Sequence, residues 1–222
     1  MGIDSQAFLW TGLSCALAYL LCGIPFGLVV ARRHGIDVRK EGSGNIGSTN
    51  VGRILGIGPA GMTLLLDVIK GFVAEIVGVW LVAHFAAGGD MSAVRGGGSL
   101  AWAGGYIYLA AVLGHVFSIF LGFKGGKGIA VGLGAGLAYH WLMALAMLAV
   151  FIVMVIPTRL VSLGSCCAAI SLPIFALLIA GVRDFWSLLP LIGVAALVLW
   201  AHRENIGRLM RREEKPFSFA KK

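Results

Sequence analysis

The sequence GHVFSIFLGFKGGKG, residues 114–128, decides how the chain around it is arranged. It leaves one apolar run through a loop that sets two lysines among glycines, and a second apolar run starts at Ile129. The loop residues are Lys124, Gly125, Gly126, Lys127 and Gly128. Glycines let successive backbone N–H groups turn toward one point and form an anion-binding concavity, to which a helix N-terminus adds positive potential. The segment therefore predicts a phosphate-binding loop at a membrane surface; the alternative is a tight turn whose lysines keep the loop on the cytoplasmic side.

The composition indicates a polytopic membrane protein. Of the 222 residues, 59% are hydrophobic and 13% are charged, which is more apolar surface than a soluble domain of this size can bury. The net charge of +8 suits an anionic leaflet and anionic substrates. Nucleic acid is not an expected partner, because the charges sit in short loops and form no continuous face. The four cysteines lie inside apolar runs without metal-ligand spacing, so we expect packing residues and no metal site.

The apolar runs predict an all-α fold with seven transmembrane helices. Single spans are expected at residues 8–31, 54–86, 100–121, 160–180 and 185–201, and two short spans inside 129–156. Pro25 is expected to kink the first span, and the short pair is expected to break near Tyr139 and His140. The run 54–86 is too long for one straight span, so its start is expected to lie at the interface.

Loop charges select this arrangement. With two short spans in 129–156, one face receives every lysine and arginine except Arg95, Arg183 and the embedded Lys70. A single span there would move Arg159 and the basic C-terminal tail to the opposite face. The positive-inside rule favours the first arrangement, which places the N-terminus outside and the C-terminus in the cytoplasm.

Three polar stretches then meet on the cytoplasmic face: residues 43–53, the loop 124–128, and residues 202–205 after the last span. Hydroxyl, amide and glycine residues in the first stretch can bind phosphate oxygens, and an arginine can bind a phosphate through two parallel hydrogen bonds. The candidate binding residues there are Ser43, Gly44, Asn45, Thr49, Asn50 and Arg53. The alternatives are a turn with Ser48, Thr49 or Asn50 as the cap of the next helix, and an interfacial anchor in the case of the arginine.

Three charged residues, Asp67, Lys70 and Glu75, are embedded in the second run. Asp67 and Lys70 are three positions apart, so they share one helix face. A buried ion pair and a role in bracing the site both remain open, because intramembrane charges are costly and often functional.

Polar residues near the cytoplasmic boundary supply candidate catalytic groups. His115 and His202 could act as general bases or phosphate ligands, because imidazole titrates near neutral pH, or could simply bridge helices. Glu204 could orient a histidine or take a proton, and Asn205 could donate to an oxyanion.

Four blocks of the sequence together resemble the signature of the PlsY family, the bacterial acyl-phosphate-dependent glycerol-3-phosphate acyltransferases. The blocks are SGNIGSTN at 43–50, LDVIKG at 66–71, GHVF with FKGGKG between 114 and 128, and HRENI at 202–206. They occur in order and at family-like spacing over nearly the whole chain.

The resemblance implies that an acyl group passes from acyl-phosphate to the 1-hydroxyl of glycerol 3-phosphate, giving lysophosphatidate and inorganic phosphate. It implies a single membrane-embedded acyltransferase domain over 1–222, with seven spans, in the bacterial cytoplasmic membrane and with its active site facing the cytoplasm. It implies no cofactor, no required metal and no acyl-CoA or acyl-carrier protein as direct donor. We expect a monomer whose partners are the two substrates and the lipid bilayer.

The residue types fit two adjacent phosphates. The lysine and glycine loop would hold the acyl-phosphate head, while Ser43, Asn45, Arg53 and Asn205 would hold glycerol 3-phosphate. No Ser-His-Asp order stands out, so direct transfer without an acyl-enzyme is expected, with a histidine or the donor phosphate as base. A transporter of phosphorylated solutes is the main alternative and a magnesium-dependent phosphotransferase a weaker one; polar residues gathered at one face favour an enzyme.

Overall fold

The structure is a computed structural model that describes residues 5–218, and this part of the chain is built from α-helices without a β-strand. The helices are α1 Ser5–Gly23, α2 Phe26–Arg32, α3 Ser48–Leu55, α4 Ile57–Ala86, α5 Ala101–Val116, α6 Ile129–Tyr139, α7 Trp141–Thr158, α8 Val161–Leu178, α9 Phe185–Ala201 and α10 Arg203–Met210, with short 3-10 turns at Met91–Val94 and Ile119–Leu121. The predicted all-α fold is confirmed.

Several helices have the length and composition of membrane spans. Within residues 5–218 four segments qualify: Ser5–Arg32, Ala101–Leu121, Trp141–Thr158 and Val161–Leu178. The pair α9 and α10, bent by 62°, forms a fifth if it is one span. Side chains on α7 such as Val153 and Ile156 are 64% and 73% exposed, as expected of a helix that faces lipid. The membrane character is confirmed, and the count of seven spans stays a prediction.

Two helix breaks lie where the sequence predicts them. α1 ends at Gly23 and α2 begins after Pro25, which has no N–H to continue the helix. The second break is at His140, whose N–H donates to the Gly136 carbonyl at 2.8 Å. Its ring Nδ1 accepts from the N–H of Met143 at 3.3 Å, so His140 ends α6 and caps α7. The two helices on either side of this break are unequal in length, with 11 residues in α6 and 18 in α7.

The long run 54–86 contains the end of α3 and all of α4. Gly56 separates them with φ of +86°, a left-handed conformation that glycine adopts without strain. α4 then continues without interruption for 30 residues, or about 45 Å. α3 thus ends at the start of this run as a separate short helix, and the interfacial position predicted there stays a prediction.

The short helix α6 is held by close backbone contact with α4. A Cβ on Gly134 would lie 1.9 Å from the Val68 carbonyl oxygen, and a Cβ on Gly71 would lie 2.3 Å from the Val131 carbonyl oxygen. Each helix thus presents a glycine to the other's backbone, the usual way for membrane helices to approach closely. α6 is only about 16 Å long, less than a bilayer core, so this contact positions it and the loop that precedes it.

Candidate active site

The loop before α3 is organised by one buried amide. Asn50, 1% exposed, accepts from the N–H of Ser43 at 2.9 Å through Oδ1. Its Nδ2 donates to the carbonyls of Val38, Glu41 and Asn45 at 3.1, 3.1 and 2.9 Å. All hydrogen-bonding groups of the amide are thereby engaged inside the protein. Asn50 therefore holds the loop in shape rather than offering a free amide to a ligand.

The same loop presents a cation. Arg53, in the last turn of α3, is half-buried and forms no ion pair with any residue between 5 and 218. The start of α3 at Ser48 has Gly47 as its N-cap and no side-chain cap, so the predicted alternative of a capping Ser48, Thr49 or Asn50 is wrong. The hydroxyls of this stretch are not used to begin the helix.

The lysine and glycine loop is tied to the end of α5. The N–H of Gly125 donates to the Val116 carbonyl at 2.9 Å, and the N–H of Gly126 donates to the His115 carbonyl at 3.0 Å. The prediction that these two N–H groups converge on a phosphate is therefore wrong. The glycines are required for contact: a Cβ on Gly125 would lie 2.0 Å from the His115 carbonyl oxygen, and one on Gly126 would lie 2.1 Å from His115 Nε2.

The two lysines of this loop lie in different environments. Lys124 is exposed, whereas Lys127 is half-buried and its Nζ donates to Asn205 Oδ1. Burial lowers the pKa of Lys127, and the nearby carboxylate of Glu214 opposes that shift. Lys127 is thus the lysine that faces the interior of the site.

Asp67, Lys70 and His115 form a buried cluster where α4 meets α5. Lys70 Nζ lies 2.7 Å from Asp67 Oδ1, 2.7 Å from the Ile24 carbonyl oxygen and 3.2 Å from His115 Nδ1. A lysine ammonium only donates, so Nδ1 of His115 accepts and the proton of the neutral ring sits on Nε2. His115 is therefore a hydrogen-bond donor in this arrangement.

His202 has the opposite proton arrangement. Its Nδ1 lies 2.8 Å from the Val198 carbonyl oxygen, one turn back in α9. A carbonyl only accepts, so Nδ1 carries the proton and Nε2 of the neutral ring keeps its lone pair. No residue in the described range bonds to Nε2, so of His115 and His202 it is His202 that has an available basic nitrogen.

Residues 205–214 surround the same place. Asn205, in α10, accepts a hydrogen bond from Lys127 Nζ through Oδ1 and donates one from Nδ2 to Glu214 Oε1 at 2.6 Å. Glu214 also accepts from Ser162 Oγ at 2.8 Å and from Arg208 Nε at 2.6 Å. Although burial favours the neutral acid, these hydrogen bonds hold the pKa of Glu214 below its usual value.

These groups surround two adjoining cavities. The inner cavity, of about 500 Å³, has a polar end and apolar walls, and the outer cavity, of about 700 Å³, lies at the polar end. Every predicted site residue except Lys70 lines one of them. The inner cavity is lined by Ser43, Asn45, Thr49, Asn50, Arg53, Asp67, His115, Lys127, Gly128, His202 and Asn205, and the outer one adds Gly44, Lys124, Gly125, Gly126 and Glu204.

The apolar wall of the inner cavity comes from α4, α6, α7 and α8. It includes Leu133, Met147, Phe151 and Leu172. At one edge the wall reaches Ile57, which is 68% exposed, so the cavity continues to an apolar surface. The arrangement fits a ligand with a charged head and a hydrocarbon tail.

Comparison with known proteins identifies the family. A family model described as glycerol-3-phosphate acyltransferase matches residues 12–212. The chain belongs to the glycerol-3-phosphate acyltransferase family. A glycerol-3-phosphate acyltransferase of Thermus thermophilus is 40% identical over 209 residues, with 94% of each chain covered. One of Geobacter sulfurreducens is 43% identical over 203 residues, covering 91% of this chain and 95% of the relative.

Solved structures agree with this assignment. PlsY (YgiH), an integral membrane glycerol 3-phosphate acyltransferase, in its glycerol 3-phosphate form matches with a TM-score of 0.80 and 36% identity, covering 94% of this chain and 96% of PlsY. Its lysophosphatidic acid form matches with a TM-score of 0.78. The chain described here is accordingly a membrane acyltransferase, and its resemblance to the PlsY family is confirmed.

Sequence reasoning missed several residues of this acyltransferase's cavities. Ser162 and Arg208 donate to Glu214, and all three line the inner cavity. A hydroxyl inside the apolar run 160–180 is a weak signal for Ser162, and Arg208 is one basic residue in a basic tail. Nothing in the sequence singles out Glu214, because its role depends on how the tail folds back.

The buried ion pair gives a stability prediction for the acyltransferase. Asp67→Leu leaves the buried Lys70 ammonium without its carboxylate, so the free energy of unfolding is expected to fall by about 3–5 kcal/mol. The melting temperature of the purified protein in detergent measures this. The double variant Asp67→Leu/Lys70→Met is expected to regain much of the loss, because it removes the isolated charge as well. A double variant as unstable as the single one would contradict the ion-pair account.

Proposed function

We propose that this acyltransferase moves a fatty acyl group from an acyl-phosphate to the 1-hydroxyl of sn-glycerol 3-phosphate, releasing lysophosphatidate and inorganic phosphate. The observation that carries the proposal is the cavity pair itself, in which Arg53, Lys127 and Arg208 meet at the polar end of a cavity with apolar walls. The glycerol 3-phosphate and lysophosphatidic acid forms of PlsY support the acceptor and the product.

The placement of the two phosphates follows the charge distribution. Ser43, Asn45, Arg53 and Asn205 hold glycerol 3-phosphate, and the loop with Lys124 and Lys127 holds the acyl-phosphate head, whose tail lies along the apolar wall. Lys127 lines both cavities, so its ammonium can neutralise both phosphates. Binding both charged groups close together supplies alignment that two free molecules in water lack.

The proposed transfer is direct. The 1-hydroxyl oxygen forms a bond to the acyl carbonyl carbon, the bond from that carbon to the phosphate oxygen breaks, and inorganic phosphate leaves. The hydroxyl proton passes to His202 Nε2, the histidine nitrogen with a free lone pair. His115 carries its proton on Nε2 and cannot accept another there, and with Asp67 and Lys70 it braces the wall beneath the loop. The departing phosphate is the alternative proton acceptor.

We further propose seven spans in a single domain of residues 1–222. α4 and the short α6 complete the count beyond the helices that qualify by length and composition. The N-terminus lies outside, and the C-terminus and the site face the cytoplasm of a bacterial cell. Support comes from the loop charges, which gather on the side of the site. The enzyme is proposed to act as a monomer without cofactor or metal.

The donor is tested with purified protein in lipid and labelled glycerol 3-phosphate. Lysophosphatidate is expected from palmitoyl-phosphate and not from palmitoyl-CoA, because the CoA thioester lacks a phosphate next to the acyl group. EDTA is expected to leave the rate unchanged. Product from palmitoyl-CoA alone would refute the acyl-phosphate donor. Product from neither donor, with folded protein, would favour the transporter of phosphorylated solutes, which uptake into vesicles then tests.

The buried lysine is tested by Lys127→Ala. Turnover is expected to fall at least about 100-fold, because the cation facing both phosphates is lost where charge develops in the transition state. Lys40→Ala is the matched control, since Lys40 is an exposed lysine that lines neither cavity. Both variants should insert and elute like the parent protein. Near-normal turnover of Lys127→Ala would contradict the proposal that this loop binds phosphate.

The proton acceptor is tested by His202→Gln. The value of kcat is expected to fall by about 100-fold or more with KM changed little, as for loss of a general base. His34→Gln is the control, because His34 Nδ1 also lies on a carbonyl four residues back, Val30, at 3.0 Å, but lines neither cavity. If kcat of His202→Gln equals that of the control, the departing phosphate takes the proton instead.

A further inference from the structure

Residues 211–217, which follow α10, fold back across the cavities. The N–H of Glu213 donates to the Arg208 carbonyl at 2.8 Å, and the N–H of Phe217 donates to the Arg159 carbonyl at 2.8 Å. Residues 213–217, here called the C-terminal strap, thus bridge from α10 to the turn between α7 and α8. Glu214 and Lys215 of the strap line both cavities.

The side chain of Glu214 is held by groups suited to any oxyanion. It is 8% exposed, and it accepts from Ser162 Oγ and Asn205 Nδ2 on one oxygen and from Arg208 Nε on the other. A hydroxyl, an amide and a guanidinium are the donors with which proteins commonly bind phosphate. Lys127 adds a positive charge through Asn205.

The donors come from the scaffold, whereas the carboxylate comes from the strap. Ser162 lies on α8, and Asn205 and Arg208 lie on α10, so these donors stay convergent if the strap moves away. These donors then need an anion, because the buried Ser162 and Asn205 would otherwise be left unpaired and the partly exposed Arg208 would lose its counter-charge. A phosphoryl group carries more negative charge than a carboxylate and offers three acceptor oxygens, so it can replace Glu214.

We propose that Ser162, Asn205 and Arg208 form an anion subsite for the phosphoryl group of a substrate, and that Glu214 occupies this subsite as a displaceable competitor until the substrate binds. The inference rests on the proposed function, since it assigns the subsite to a phosphorylated substrate of that reaction. The strap thereby keeps the donors paired in the empty enzyme and withdraws when phosphate enters.

A structural role gives the opposite expectation. If Glu214 serves to orient the Asn205 amide toward Lys127, removing its charge disorders the site and weakens phosphate binding. If Glu214 is a competitor, removing its charge frees the subsite, and phosphate binds more tightly because a larger fraction of the protein is competent to bind. The two roles therefore differ in the sign of the effect.

The test uses the full-length protein in detergent and inorganic phosphate as the probe, with protection against thermal unfolding as the readout. Glu214→Gln is expected to lower the phosphate concentration for half-maximal protection by about tenfold. Glu213→Gln is the matched control, because Glu213 is the neighbouring glutamate of the strap, and its side chain, at the edge of the outer cavity, is 56% exposed and pairs with Arg211 instead of with the subsite. Ser162→Ala combined with Glu214→Gln is expected to lose the gain, because it removes one donor of the subsite.

The same variants are then assayed with palmitoyl-phosphate and glycerol 3-phosphate. The KM of glycerol 3-phosphate, the substrate placed at Asn205, is expected to fall about tenfold in Glu214→Gln. Weaker protection by phosphate, or protection equal to that of Glu213→Gln, would overturn the inference even if the parent enzyme turns over. Tighter phosphate binding without turnover by any variant would keep the subsite and reject the proposed reaction.

Discussion

The site depends on two backbone hydrogen bonds, from the N–H groups of Gly125 and Gly126 to the carbonyls of Val116 and His115. They fold the lysine and glycine loop against the end of α5 so closely that neither glycine has room for a Cβ. This contact fixes where Lys127 points and where α6 begins. The loop before α3 and the helix α10 then have a rigid surface on which to converge. A backbone anchor of this kind does not change with the protonation of any side chain.

The parts of the fold that could be predicted are those that local chemistry decides. Pro25 cannot continue a helix, and long apolar runs in a chain of this composition have no alternative to helices in a membrane. The break at His140 followed from loop charges alone. The continuous α4 was harder to anticipate, because three charged residues in an apolar run give no sign of whether the helix continues past them.

The parts of the site that could not be predicted depend on partners far away in sequence. Glycines beside lysines suggest an anion-binding loop, yet the N–H groups of Gly125 and Gly126 are used by α5. The two histidines look equivalent in the sequence, but Lys70 and the Val198 carbonyl give their rings opposite proton positions. Glu214 is one acidic residue in a basic tail, and its importance appears only when Ser162 is found 2.8 Å away.

The inner cavity joins a cluster of cations to a wall of hydrocarbon side chains that reaches the exposed Ile57. A ligand that fills both parts is itself a surfactant, and it distributes between water, bilayer and detergent micelles. Its concentration at the protein is then a mole fraction in the surrounding amphiphile rather than an amount per volume of buffer. Kinetic constants for this enzyme consequently have meaning only at a stated lipid or detergent content, and surface dilution becomes a variable in its own right.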